Sequence, residues 1–346
     1  MSENRFASPE EQVILSKYVG WGGLDKAFSG YHWKAEYDEL RSLVKEGIIS
    51  EDDYNAARRS TMNAHYTDIS VIKAMYDGLS RLGFMGGRML EPSAGVGNFI
   101  GAVPDEMTSK VKSWTAVELD NITGNILKYL YPNSDVRIEG FEKANIPDGY
   151  MDVAIGNVPF GNYAVIDKSY PKQVTGAIHN YFFAKSLDKV RPGGIVMFIT
   201  SNYTMNSKDQ SVRRYIMNKA DLLGAIALPE GAFKENAGTE VATTIMILKR
   251  RADGTPYAGA DFLESEGITL ENDKYSYMGN VYQNRYFAEH PEMFSEHLLV
   301  TRCTRAATAL PTSPSPTAAV LQTRYARHSL ISTAEWTIRQ SRQRNA

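Results

Sequence analysis

The stretch Glu91-Pro92-Ser93-Ala94-Gly95-Val96-Gly97-Asn98-Phe99 constrains this chain more than any other. It follows Arg88-Met89-Leu90, an apolar run that reads as the end of a strand, and leads into Phe99-Ile100, where a helix can begin. Gly95 and Gly97 fit the sharp turn between them. Glycine tolerates positive φ and carries no side chain to hold a ligand away, so a unit of this kind brings backbone N–H groups and a helix N-terminus close to what it binds. A side chain at Gly97 is therefore expected to intrude on a ligand and to leave the fold largely intact. Gly-x-Gly also serves ordinary tight turns, and Ile100 stands where the dinucleotide fingerprint has its third glycine. The unit needs support from elsewhere in the chain.

Support comes from Gly156-Asn157-Val158-Pro159-Phe160-Gly161, which follows a second apolar strand, Asp152-Val153-Ala154-Ile155. An Asn-x-Pro-aromatic turn downstream of an acidic-Pro-Ser-x-Gly-x-Gly-Asn-Phe loop resembles the amino-group methyltransferases that use S-adenosylmethionine, and in particular the adenine-N6 DNA methyltransferases. The resemblance runs from Tyr18-Val19-Gly20-Trp21-Gly22-Gly23-Leu24 to about Arg250. It is similar to the methyltransferase portion of methylase-helicase proteins of bacterial conjugative elements. What it implies is a Rossmann-like α/β fold with a seven-stranded sheet, its last strand antiparallel, and a helical N-terminal segment beside the cofactor cleft. It also implies S-adenosylmethionine as cofactor, DNA as partner, a helicase-like region further along in the family, and chemistry that needs no metal.

On the same footing the resemblance assigns roles to residues. Glu91, Ala94, Gly95, Gly97 and Phe99 form the cofactor loop. Thr67, in Ala64-His65-Tyr66-Thr67-Asp68, binds the methionine carboxylate, although Thr67 or Asp68 can equally cap the helix that follows. Asn157 and the main-chain carbonyl of Val158 accept the hydrogens of the target amino group; the family commonly has proline at 158, and Pro159 still keeps its predecessor extended. Phe160 stacks on a base extruded from the duplex. Phe233 has a family counterpart near that base, and Glu142 or a nearby backbone group meets the adenine ring of the cofactor.

Other candidates come from position and residue type. Glu118 ends the apolar run Trp114-Thr115-Ala116-Val117, about 20 residues beyond the glycines, where a carboxylate can accept both hydroxyl protons of a ribose. Asp120 reads as the cap of the next helix. Lys168 and Lys172, in the polar loop from Asn162 to Thr175, can hold phosphates or simply face solvent. His179 reads as structural, having no partner at ligand spacing.

Strand and helix alternate through the rest of this region. Ile72, Met75, Tyr76 and Leu79 fall at helical spacing, Ala177 to Val190 forms a further helix, and Ile195 to Ile199, Leu222 to Leu228 and Val241 to Leu248 read as strands. That order predicts a mostly parallel sheet. Residues 1–62 read as a helical segment, in which Trp21 plugs a core or touches substrate. Residues 63–252 read as the catalytic domain and 253–300 as an extension with no clear pattern.

Composition sets outer limits. The net charge of −2 hides a break: residues 301–346 hold seven Arg, no Lys and one acid, leaving 31 basic and 39 acidic side chains before them. The body is acidic, so contact with DNA must come from a local patch. The tail, with Pro311, Pro314 and Pro316 among Ser and Thr, is expected to be disordered or aberrant. Cys303 is the single cysteine, which excludes a disulfide within the chain and a cysteine-based zinc site. No apolar run approaches a membrane span, and the opening lacks a charged-then-apolar signal, from which a cytoplasmic chain is expected. Two rival functions remain open: a protein-glutamine methyltransferase, and an idle cofactor- or DNA-binding module of a larger protein.

Overall fold

Strands and helices alternate through residues 69–138 and again through 151–228 because short β-rich apolar runs are separated by helical segments. The computed structural model describes residues 5–18, 20–22, 24–61, 67–84, 86–228, 242–268 and 281–294. The expectations for Phe233, for His65 and Tyr66, and for the tail 301–346 lie outside the described residues.

The strands are β1 (Gly87–Glu91), β2 (Val111–Glu118), β3 (Asp135–Ile138), β4 (Met151–Asn157), β5 (Val190–Ser201), β6 (Ala220–Leu228) and β7 (Thr243–Arg250). They form one seven-stranded sheet in the order β3-β2-β1-β4-β5-β7-β6. Pairing is parallel from β3 across to β5, and β7 runs antiparallel between β5 and β6, as the resemblance implies. The chain runs outward from β1 on one side and from β4 on the other, so these two strands flank the switch point. In open α/β sheets ligands bind there, outside the carboxyl ends of the strands.

Alternating side chains supply one apolar layer on each face. Met89, Val153, Ile155, Met197 and Ile199 point into a cluster with helix α4 (Ile69–Arg81). Leu90, Val117, Ala154, Val196 and Phe198 point into the opposite cluster. Helix α4 has the expected stripe: Ile72, Met75, Tyr76 and Leu79 are all buried. Each such side chain contributes about 1.5–3 kcal/mol through removal from water. Asp68 caps this helix, its Oδ1 accepting from the Ser70 N–H at 2.7 Å.

The N-terminal segment packs beside β2. Helix α1 (Pro9–Leu15) has a complete capping box between Ser8 and Glu11, and helices α2 (Lys34–Lys45) and α3 (Glu51–Ser60) follow it in the helical segment. Trp21 packs edge-on to Tyr18 and Phe28, with ring centroids 6.0 and 5.7 Å apart. Three polar contacts join the segment to helix α7 (Asn121–Leu130): Tyr18 Oη with Thr123 Oγ1 at 3.2 Å, Gln12 Nε2 to the Tyr129 carbonyl at 3.1 Å, and Asn121 Nδ2 to Asp53 Oδ1 at 2.9 Å.

Beyond residue 252 the chain contributes to the same core. Phe262, Tyr286 and Phe287 are fully buried against β5, β6 and β7. The Ala225 N–H donates to Tyr286 Oη at 3.1 Å, and Asn284 Nδ2 donates to the carbonyls of Met205 and Phe262 at 2.7 and 2.8 Å. Among the described residues no helix is long and apolar enough to cross a membrane.

Candidate active site

Strand β1 ends at Glu91 and strand β4 at Asn157, side by side at the switch point. Gly156 lies beside Glu91: a methyl group placed there would be in ordinary van der Waals contact, 3.5 Å from Glu91 Cγ and 3.8 Å from Pro92 Cδ. The two sequence motifs, 65 positions apart by the difference of Gly156 and Glu91, meet at one edge of the sheet.

The glycine loop turns as its composition dictates. Gly95 and Gly97 have φ of 55° and 83°, the left-handed region that favours glycine, and the four-residue helix α5 (Asn98–Gly101) follows. The Ala94 N–H donates to the Val117 carbonyl at 2.9 Å, and the Gly95 N–H donates to Glu118 Oε2 at 2.8 Å. Loop and β2 are thereby tied together. Phe99 is buried beneath the loop, and its carbonyl accepts from Tyr76 Oη at 2.8 Å. The expectation for Gly97 is corrected here. A Cβ at this position would lie 2.5 Å from Tyr131 Cε2 and 2.7 Å from Leu127 Cδ1, so a side chain there meets the core under the loop.

Two carboxyl groups, at the ends of β1 and β2, lie close enough to this loop to influence one another. Glu91 is 2% exposed, and its Oε2 meets no hydrogen-bond partner among the described residues. Burial, reinforced by the neighbouring charge of Glu118, pushes its pKa well above the usual carboxylate range. Glu118 is pushed up to about 7 by burial, against the opposing pull of N–H donors from Asp120 and Gly95. Its Oε1 accepts from the Asp120 N–H at 2.8 Å, and a carboxylate's four lone-pair sites leave capacity beyond its backbone donors. Asp120 caps α7 through the Thr123 N–H at 2.8 Å, the role its position indicates.

On the other side of the switch point, Asn157 is half-buried with Oδ1 closed off from solvent. The Val158 side chain is buried, and its N–H donates to the Ile199 carbonyl of β5 at 3.1 Å. Pro159 is half-buried, and Phe160, 9% exposed, joins the α4-side cluster. Thr67 is buried where the chain enters α4. Glu142, after β3, is half-buried and folds over Gly140. Lys168 is exposed on the loop after β4, and Lys172 is exposed at the start of the short helix α8 (Lys172–Thr175).

Several contributors gave no signal in the sequence. In helix α9 (Ile178–Lys189), Lys185 Nζ donates to the Glu142 carbonyl at 3.0 Å, and Tyr181 Oη donates to Asp167 Oδ2 at 2.7 Å. One helix thus braces both the loop after β3 and the loop after β4. A mid-helix Lys and Tyr have no spacing that distinguishes them from surface residues. Tyr76, legible only as a core position, supports the glycine loop. Among the described residues no three His, Cys, Asp or Glu side chains group as metal ligands do.

The family model described as Eco57I restriction-modification methylase matches residues 49–233. Defense against restriction protein B of Escherichia phage P1 is 30% identical over 249 residues, covering 67% of this chain and 11% of that relative. The chain therefore spans about a ninth of the length of that curated relative. Among solved structures, a modification subunit of a putative type I restriction enzyme from Vibrio vulnificus aligns at 17% identity over 72% of this chain and 51% of that one, with a TM-score of 0.47. A type I restriction-modification methyltransferase subunit from Streptococcus thermophilus aligns at 13% identity over 70% and 59%, with a TM-score of 0.44.

Proposed function

The chain belongs to the Eco57I restriction-modification methylase family, and from that premise we propose that it transfers a methyl group from S-adenosylmethionine to the N6 amino group of adenine in DNA, with the target base turned out of the duplex. The observation that carries the proposal is the meeting of Glu91 and Asn157 at the switch point, which sets a cofactor-type loop against an Asn-Val-Pro-Phe turn.

The residues present fit the cofactor. Glu91 Oε2 is a buried acceptor without a partner, which suits a ligand that brings N–H donors and positive charge. Glu118 retains lone pairs for a ribose diol, and the loop at Gly95 leaves its outer side free of side chain. In the same reading Thr67 contacts the carboxylate of the cofactor and Glu142 its adenine ring. When bound, the cofactor supplies an electrophilic methyl on a sulfonium.

The chain's own work is alignment and desolvation. An exocyclic adenine nitrogen is a poor nucleophile because its lone pair is delocalised into the ring. Asn157 Oδ1 and the carbonyl of Val158 accept its two hydrogens, and these bonds strengthen as the nitrogen becomes tetrahedral, which localises the pair. Phe160 provides the apolar platform for the base, offsetting part of an unstacking cost of a few kcal/mol. Lys168 and Lys172 lie on the loop that follows, where DNA phosphates approach.

The test is incubation with labelled S-adenosylmethionine, mixed-sequence DNA and cell protein. Label recovered as 6-methyladenine supports the proposal. Label on a glutamine side chain would replace the substrate, and binding without transfer would make the chain a cofactor-binding module.

A further inference from the structure

The carboxylate of Glu118 is held between two backbone donors. Its Oε2 accepts from the Gly95 N–H and its Oε1 from the Asp120 N–H, both at 2.8 Å, so its orientation follows the glycine loop on one side and the capping turn of α7 on the other. Asp120 is held in turn. It is 5% exposed, its Oδ1 accepts from the Thr123 N–H at 2.8 Å and from the Thr123 hydroxyl at 2.7 Å, and its Oδ2 meets no partner among the described residues. A hydroxyl has one hydrogen, and that of Thr123 goes to Asp120, so in the 3.2 Å contact between Thr123 Oγ1 and Tyr18 Oη the tyrosine is the donor. A line of contacts therefore runs from Tyr18 through Thr123 and Asp120 to Glu118 and the loop at Gly95.

The outer end of this line is also fixed. Tyr18 leads a row of four rings, Tyr18, Trp21, Phe28 and Tyr54, with successive centroids 6.0, 5.7 and 5.2 Å apart. Tyr54 lies on α3, and α3 reaches the same turn of α7 through Asp53 Oδ1, which accepts from Asn121 Nδ2 at 2.9 Å. The N-terminal segment thus grips the first turn of α7 at two points. Burial raises the pKa of Tyr18 above the ordinary phenol range, so its hydroxyl stays protonated and stays a donor.

We infer that Tyr18 is a positioning residue for cofactor binding: through Thr123 and Asp120 it fixes the carboxylate of Glu118 against the glycine loop. A phenylalanine would fill the same place in the aromatic row. What the phenol adds is a donor directed at the turn that orients Glu118. Buried hydrogen bonds in a line polarise one another, so loss of the outer one loosens the inner ones.

The inference rests on the proposed function, and its test separates the two. The full chain is compared as wild type, Tyr18→Phe, Thr123→Val and the double variant, by calorimetric titration with S-adenosylmethionine. Tyr18→Phe is expected to raise the dissociation constant on the order of fivefold, the range of one net hydrogen bond. Its single-turnover rate on duplex DNA at saturating cofactor should stay within about twofold of wild type. Thr123→Val should weaken binding at least as much, and adding Tyr18→Phe to it should change nothing further, because both cut one line. Unchanged affinity in Tyr18→Phe, whatever its melting temperature, would overturn the inference, as would losses that simply multiply in the double variant. A second readout needs no cofactor: deuterium exchange of the peptide covering Glu118 to Thr123 should be faster in Tyr18→Phe than in wild type. If wild type binds no S-adenosylmethionine, the proposed function fails, and this exchange still decides on Tyr18, unchanged exchange overturning its hold on Glu118.

Discussion

The two sides of the switch point solve the same structural problem by different means. On the β1–β2 side the loop is shaped by backbone: two glycines in the left-handed region, N–H groups spent on Val117 and Glu118, and two carboxyl groups buried together. On the β4–β5 side the turn is shaped by side-chain identity, with Asn157, Pro159 and Phe160 around a Val158 N–H that donates to a β5 carbonyl. The first side holds two carboxyl groups whose burial resists ionisation until a cation arrives, and the second is fixed by uncharged side chains. Holding a cationic cofactor suits the first, and aligning an uncharged amino group suits the second. If this division is right, changes on one side should leave the other largely untouched.

The largest expected effect is on the cofactor side. Gly97→Val forces a side chain onto a φ of 83° and against Tyr131 and Leu127. Left-handed backbone costs about 1–2 kcal/mol and overpacking about 1–3 kcal/mol more. The melting temperature should fall by on the order of 10 °C in thermal unfolding. A stable variant with weakened cofactor binding alone would mean the loop opens differently from its observed packing.

Glu118→Gln probes the electrostatic load. The folded protein holds the Glu118 proton up to about pH 7, whereas the unfolded chain releases it near about pH 4.3. Between those values the folded state binds more protons, so stability falls as pH rises through that window, and Glu91 adds to the same slope. Wild type should lose several degrees of melting temperature between about pH 5 and about pH 8, the variant should lose less, and S-adenosylmethionine should flatten the wild-type slope. Identical slopes in wild type and variant would remove Glu118 from the account.

The smallest effect belongs to the substrate side. Replacing exposed Lys168 and Lys172 together by alanine should raise the KM for DNA a few-fold and reduce the salt dependence of binding by up to about two phosphate contacts. Cofactor affinity should not change. An unaltered salt slope would assign both lysines to ordinary solvated surface.

Much of the fold was legible because its signals are local. Ile72, Met75, Tyr76 and Leu79 sit at helical spacing, Asp120 is a cap, and the apolar runs at β1, β2, β4 and β5 are bounded by turns. The antiparallel β7 came from family resemblance, since periodicity carries no direction. The contribution of Phe262, Asn284 and Tyr286 to the core was not legible: their partners lie 22 to 79 positions away in sequence and follow no period. Within the site, Asn157 and the glycine loop were legible as motifs. The coupling of Glu91 to Glu118, the packing beneath Gly97 and the support from Lys185 are tertiary, set by which loops the sheet brings together.

The central claim, that binding and alignment reside on opposite sides of the switch point, is tested most directly with Asn157→Ala. Calorimetric titration with S-adenosylmethionine and single-turnover methylation of duplex DNA are measured on the same preparation. The account predicts a rate lower by a factor on the order of a hundred or more, as when a preorganised polar group at a transition state is lost, with cofactor affinity unchanged within a few-fold. A loss of affinity that matches the loss of rate, or a rate that survives the substitution, would contradict it.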